Sequence, residues 1–147
     1  MDIQQTKDYL SGIRNLDMQL KTKIAELKRL RQDICSLQAI DYSKDVVTGG
    51  DTMDLADEIA KLNALSEQIK KECQELIKSK ANARAVILRI PDTLQQAVLI
   101  YRYINCVDWD VIADKLHYSF SKIMKIHSAS IKSFQLYSKM QQENAGV

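Results

Sequence analysis

Apolar residues recur at Tyr9, Ile13, Leu16, Leu20, Ile24, Leu27, Leu30, Ile34 and Leu37, in steps of three and four. That spacing gathers them on one stripe of an α-helix, with Lys21, Lys23, Glu26, Lys28 and Arg31 mostly beside or opposite it. The pattern predicts a helix over 5–37 with a coiled-coil seam. Over Gln38–Thr52 the stripe stops, and Asp41, Ser43, Asp45 and the pair Gly49-Gly50 read as a loop. A second stripe follows at Leu55, Ile59, Leu62, Leu65, Ile69, Cys73, Leu76, Ala83 and Ile87, interrupted by Lys80. It predicts a helix over 52–89, capped by Asp51 or Thr52, with Asp54, Asp57 and Glu58 in the first turn, where the helix dipole favours negative charge.

Two helices with facing stripes make an antiparallel hairpin, expected over 1–90. Such a hairpin has a single seam. Ile40, Val46, Val47 and Ile77 are left over, and a homodimer through the hairpin is the expected way to cover them.

Pro91 pushes Ile90 out of the helical region and ends the second helix. Asp92 then reads as an N-cap, with Gln95 three residues on as in a capping box. A second unit is expected over 91–140, richer in large apolar residues, with 141–147 as a frayed tail. Within it, Asp108 opens a short helix whose Val111, Ile112 and Leu116 face inward and whose Ala113 allows a close crossing. Leu116-His117-Tyr118-Ser119 makes a short turn, and Ser119 caps a longer helix with Ile123, Ile126, Ser130 and Phe134 on its inner stripe. Two helices joined this closely have the geometry of a helix-turn-helix. The fold class is therefore all-α: a long antiparallel helical hairpin followed by a C-terminal three-helix helix-turn-helix domain.

Composition adds limits rather than a function. The chain has 147 residues, 46% hydrophobic and 27% charged, with four Gly and one Pro, which suits long uninterrupted helices. A net charge of +2 imposes no overall field on a partner. The start carries no basic segment followed by an apolar core, and no apolar run approaches the ~18 residues of a membrane span, so a cytoplasmic chain without a membrane contact is expected. Cys35, Cys73 and Cys106 form neither a CxxC pair nor a disulfide pattern and read as buried thiols of a reducing compartment. His117 and His127 read as turn and core residues, since no Cys or acid spacing completes a metal site. With no phosphate loop, HExxH or nucleophile elbow, no catalytic residue, metal or cofactor is expected, and the chain reads as not an enzyme.

The segment Val107–Phe134 resembles the end of region 4 of bacterial sigma factors. There a D-x-x-x-I-A-x-x-L helix leads into a polar-capped recognition helix; Ile112, Ala113, Leu116, Ser119, Ile123, Ile126 and Ile131 fit that pattern here. The stretch is also similar to small sigma-like proteins of phages and prophages of Gram-positive bacteria, on Arg102, Tyr103, Ile104, Trp109, Ile112, Ala113, Tyr118, Ser119 and His127. The resemblance implies a DNA-binding transcriptional regulator whose helix over 119–134 meets duplex DNA. Local charge agrees. Over 91–116, Arg102 and Lys115 stand against Asp92, Asp108, Asp110 and Asp114, a net −2; over 117–140, Lys122, Lys125, Lys132 and Lys139 meet no acid, a net +4. The DNA-binding residues expected are Ser119, Ser121, Lys122, Lys125, Ser128 and Lys132. Sigma factors usually place Arg where this chain has Phe120 and Met124, and neither can make the bidentate guanine contact, so sigma-type promoter reading is not implied. Phe120 falls near the inner stripe and is expected to be buried; Met124 lies on the flank. Both are the candidates for the alternative role, in which the unit docks on RNA polymerase or another host protein without DNA.

Overall fold

A computed structural model describes the backbone of residues 1–43 and 51–146 and the side chains of 1–37 and 55–146. The chain is all-α, with α1 at Ile3–Ser43, α2 at Asp51–Ile87, α3 at Thr93–Leu99, α4 at Trp109–Leu116 and α5 at Phe120–Ala145. A π-helical turn, Ile100–Ile104, continues α3.

The helix starts follow from capping. Asp2 and Gln5 form a reciprocal capping box: Asp2 Oδ1 accepts from the Gln5 amide at 2.7 Å, and Gln5 Oε1 accepts from the Asp2 amide at 2.9 Å. α1 therefore begins two residues before the predicted start. It also runs through Ser43, past the predicted end at Leu37. Polar residues such as Gln38 and Asp41 lower helix propensity only by tenths of a kcal/mol, roughly, whereas Gly and Pro cost far more. Gly49-Gly50 and the rest of the expected connection at 44–50 lie outside the described residues.

The chain forms two compact units, Met1–Asp17 with Leu76–Val147, and Met18–Glu75. The units do not divide near residue 90, because the ends of α1 and α2 belong to the C-terminal core. In that core Leu10, Ile13, Ala83, Val86, Ile87 and Ile90 pack with Leu99, Tyr103, Ile131 and Phe134. Val98, Ile112, Ala113 and Ile123 form a second cluster, edged by Trp109, Leu116 and Met124. Ala113 thus sits where α4 meets α5, as its size predicts. Val111, expected inside, is exposed, one position off the short helix's inner face. The tail expected to fray at 141 is helical through Ala145.

In both units α1 and α2 run antiparallel. Asp17 meets Lys80 in the first unit, and Lys23 meets Glu72 in the second. The seam of α1 keeps the predicted Ile13, Leu20, Leu27 and Ile34 and departs from the stripe by one position at Leu10 and Asp17. Leu10, Ile13, Leu20, Leu27 and Ile34 are buried, while Tyr9, Ile24 and Leu37 are exposed on its flank. Ile59 of α2 is exposed likewise. The displacement follows from polar residues that belong to the seam. Thr6 is fully buried, its hydroxyl donating to the Asp2 carbonyl at 2.8 Å. Lys23 donates to Glu72 at 2.6 Å, which holds the Glu72 carboxyl below its usual range. Cys35 is exposed and Cys73 and Cys106 are half-buried, so the thiols are not the core residues expected.

Lys80, the interruption in the second stripe, donates to Asp17 at 2.9 Å, with side-chain exposures of 26% and 12%. Asp17→Ala strands a largely desolvated ammonium in the seam. We expect a loss of about 3 kcal/mol, at the lower end for a broken buried pair because Lys80 retains some solvent. Urea unfolding measures this; Asp17→Ala combined with Lys80→Met should recover much of the loss.

Candidate nucleic-acid interface

α3 starts where Asp92 caps it, Oδ1 accepting from the amides of Leu94 at 2.9 Å and Gln95 at 3.2 Å. The Gln95 side chain does not complete a capping box; it accepts from Ser133 Oγ of α5 at 2.6 Å. Gln96 Nε2 reaches back to the Ile90 carbonyl at 2.6 Å, next to the proline. These bonds tie α3 to the end of α2 and to α5.

The connection from α4 to α5 is a Schellman turn. The amide of His117 donates to the Asp114 carbonyl at 3.3 Å, and that of Tyr118 to the Ala113 carbonyl at 3.1 Å. His117 has φ 59°, a left-handed conformation that costs a non-glycine residue about 1–2 kcal/mol. Ser119 then caps α5, Oγ accepting from the Lys122 amide at 3.2 Å. This turn fixes which face of α5 looks inward: Ile123, Ser130, Ile131 and Phe134 are buried and Ile126 is half-buried.

The opposite face carries Ser121, Lys125, Ser128 and Lys132, all exposed and spaced by four, three and four residues. They line an open shallow groove with Phe120, Met124 and Ala129. Lys122 is exposed to one side. The structure thus brings five of the six predicted contact residues to the surface of one helix, and the sixth, Ser119, is engaged as its cap. Ser128 Oγ donates to the Met124 carbonyl at 3.1 Å, which leaves its lone pairs to accept. Phe120 is not buried as expected but 58% exposed. It stands at the first position of α5, a turn ahead of the Ile123 contact with α4, so α4 leaves most of the ring open. Met124 is half-buried against the second core cluster.

Four of the residues behind the sequence resemblance meet elsewhere, around His127 of α5. Arg102 lies over the Trp109 ring at 4.5 Å and donates to the Val107 carbonyl at 3.3 Å. Trp109 meets His127 edge-on at 4.7 Å, and His127 Nε2 is 2.7 Å from the Tyr103 hydroxyl. Sequence reading missed Arg14, which donates to Asp108 at 2.8 Å and so takes up the carboxylate that would have capped α4. A contact across this much sequence leaves no local pattern.

Burial first, and then Lys7 and Arg102, push the His127 pKa from 6.5 down to about 4. The folded state thus holds a neutral imidazole, while the unfolded state takes up a proton near the ordinary value. This contribution to stability is complete above pH 6.5 and is lost as pH falls from there toward 4, since the unfolded state then binds more protons. Denaturant midpoints across that window should fall less steeply in His127→Gln than in the parent. Equal slopes would contradict the burial of a neutral His127.

Among the described residues no group of His, Cys, Asp and Glu could hold a metal ion, and no helix is long and apolar enough to cross a membrane. The model of the family described as "Protein of unknown function (DUF1492)" matches residues 36–135, and the chain belongs to that family. No curated protein and no solved structure matches the chain.

Proposed function

We propose that this DUF1492 chain is a DNA-binding transcriptional regulator of phage or prophage type, acting in the cytoplasm, whose α5 lies against duplex DNA. The observation that carries this reading is the exposed stripe Ser121, Lys125, Ser128 and Lys132, on a helix with no acid before Glu143. Lys122, Lys125 and Lys132 contact phosphates, and Ser121 and Ser128 face base edges. Apart from Glu143 near the end of α5, the acids of the same unit lie on and before α4, so phosphates are drawn to α5 and not to its partner helix. The resemblance of 107–134 to sigma region 4 supports the same docking, without sigma's arginines and hence without its base preference.

Fluorescence anisotropy of a random duplex across a salt series tests the proposal. Three phosphate contacts give a slope of log K against log salt of roughly −3 for a monomer, and a dimer through the hairpin roughly −6. Such a dimer would cover exposed apolar side chains such as Ile77. One observation favours a second reading: the exposed Phe120 ring beside Met124 is an apolar patch of the kind partner proteins cover. Absence of duplex binding at low salt, together with capture of RNA polymerase that Phe120→Ala abolishes, would replace DNA by that protein partner.

A further inference from the structure

Three cations from distant points of the sequence converge on one small cleft. Lys7 and Arg14 come from α1 and Arg102 from the π-helical turn; Ser11, Asn15 and Trp109 also line it, and the cleft holds about 280 Å³. No acid lines it among the described residues. Asp108, at the rim, is bonded to Arg14, and its side chain is 73% exposed, so water screens part of its charge. His127, which also lines the cleft, is neutral at physiological pH and adds no charge of either sign.

The two arginines are placed rather than loose. The Arg102 guanidinium lies over the Trp109 ring and donates to the Val107 carbonyl, which uses only part of its donor fork. Arg14 is oriented by Asp108. Lys7 makes no hydrogen bond or ion pair among the described residues, and it is near enough to His127 to disfavour its protonated form. Burial and the neighbouring Arg14 hold the Arg102 pKa below its usual value. Like charges gathered this way repel one another, and an anion between them relieves the repulsion.

We propose that this cleft binds a compact phosphate group, with Lys7, Arg14 and Arg102 as its cations and Ser11 and Asn15 as neutral donors. Planar guanidinium forks match tetrahedral oxyanions, and an ammonium adds a point charge. At about 280 Å³ the cleft is slightly below the roughly 300 Å³ at which ordinary small-molecule sites begin, so it takes inorganic phosphate or the end of a phosphate ester rather than a whole nucleotide. None of its lining residues belongs to the outward stripe of α5, so this site does not depend on the DNA reading.

The chain's single tryptophan reports on it directly, since Arg102 covers Trp109. Inorganic phosphate is titrated into the full chain against chloride at constant ionic strength, and Trp109 fluorescence is followed. We expect a saturable change that chloride does not produce. Lys7→Gln, at an exposed position that leaves the fold intact, should weaken phosphate about tenfold, the effect of losing one charge-assisted contact. Lys125→Gln should leave it unchanged. Duplex added to the phosphate-loaded chain separates two sources of the group: displacement assigns the cleft to a nucleic-acid backbone phosphate and retention to a free ester, and both uphold the site. No saturable change, or one with the same affinity in Lys7→Gln, overturns it.

Discussion

Replacing Lys125 and Lys132 together by Glu lowers affinity for random duplex about a hundredfold or more at low salt, since each lost phosphate contact costs roughly tenfold there. The salt slope should shrink by about 2 units at the same time. Both side chains are exposed and make no core contact, so the fold should be retained, with an unchanged far-ultraviolet spectrum. The control is Lys78→Glu, an exposed hairpin position expected to leave affinity within about twofold beyond the small change in net charge. Lys80, which the sequence alone would offer as such a control, is unsuitable: its pairing with Asp17 makes Lys80→Glu a stability change as well as a charge change. Anisotropy titration of parent and variants decides it, and equal affinity in all of them rules out α5 as the contact.

Phe134→Ala should be the most damaging single truncation in the C-terminal core. The side chain is 1% exposed, packs in the larger core cluster and stands 6.1 Å, centroid to centroid, from Tyr9 of α1. Removing a buried Phe costs about 3–5 kcal/mol. That is a large share of the roughly 5–15 kcal/mol that a folded domain has in total. Two residues on, Leu136 is 56% exposed, and Leu136→Ala should change stability by less than about 0.5 kcal/mol. Urea unfolding of the two variants checks this. A loss below about 1 kcal/mol for Phe134→Ala would mean that α5 does not pack as described.

Much of the fold was legible because local rules dominate it. Asp92 and Ser119 cap the helices their types and positions predict, Pro91 closes α2 within a few residues, and Ala113 marks the crossing of α4 with α5. What escaped is polar or long-range. The seam of α1 runs through Thr6 and Asp17, and a hydrophobic pattern skips such residues, which is why Tyr9 and Ile24 were placed on the wrong side. Asp17 becomes intelligible only beside Lys80, sixty-three residues away. The Asp2–Gln5 box was readable in principle, but no apolar stripe announces a helix that early. Phe120 was misjudged because periodicity assigns a face without knowing where the neighbouring helix ends. For the candidate interface, the residues of one helix could be grouped by spacing alone. The cleft of Lys7, Arg14 and Arg102 could not, since its parts lie almost a hundred residues apart.

The central claim, that α5 meets duplex DNA, is tested most directly by mapping amide chemical-shift changes of the isotope-labelled chain on addition of a short random duplex at low salt. The account predicts the largest changes at Ser121, Lys122, Lys125, Ser128 and Lys132, fading along α5 beyond Lys139 and small at Lys78. Changes confined to other helices, or none at duplex concentrations in the hundred-micromolar range, would contradict it.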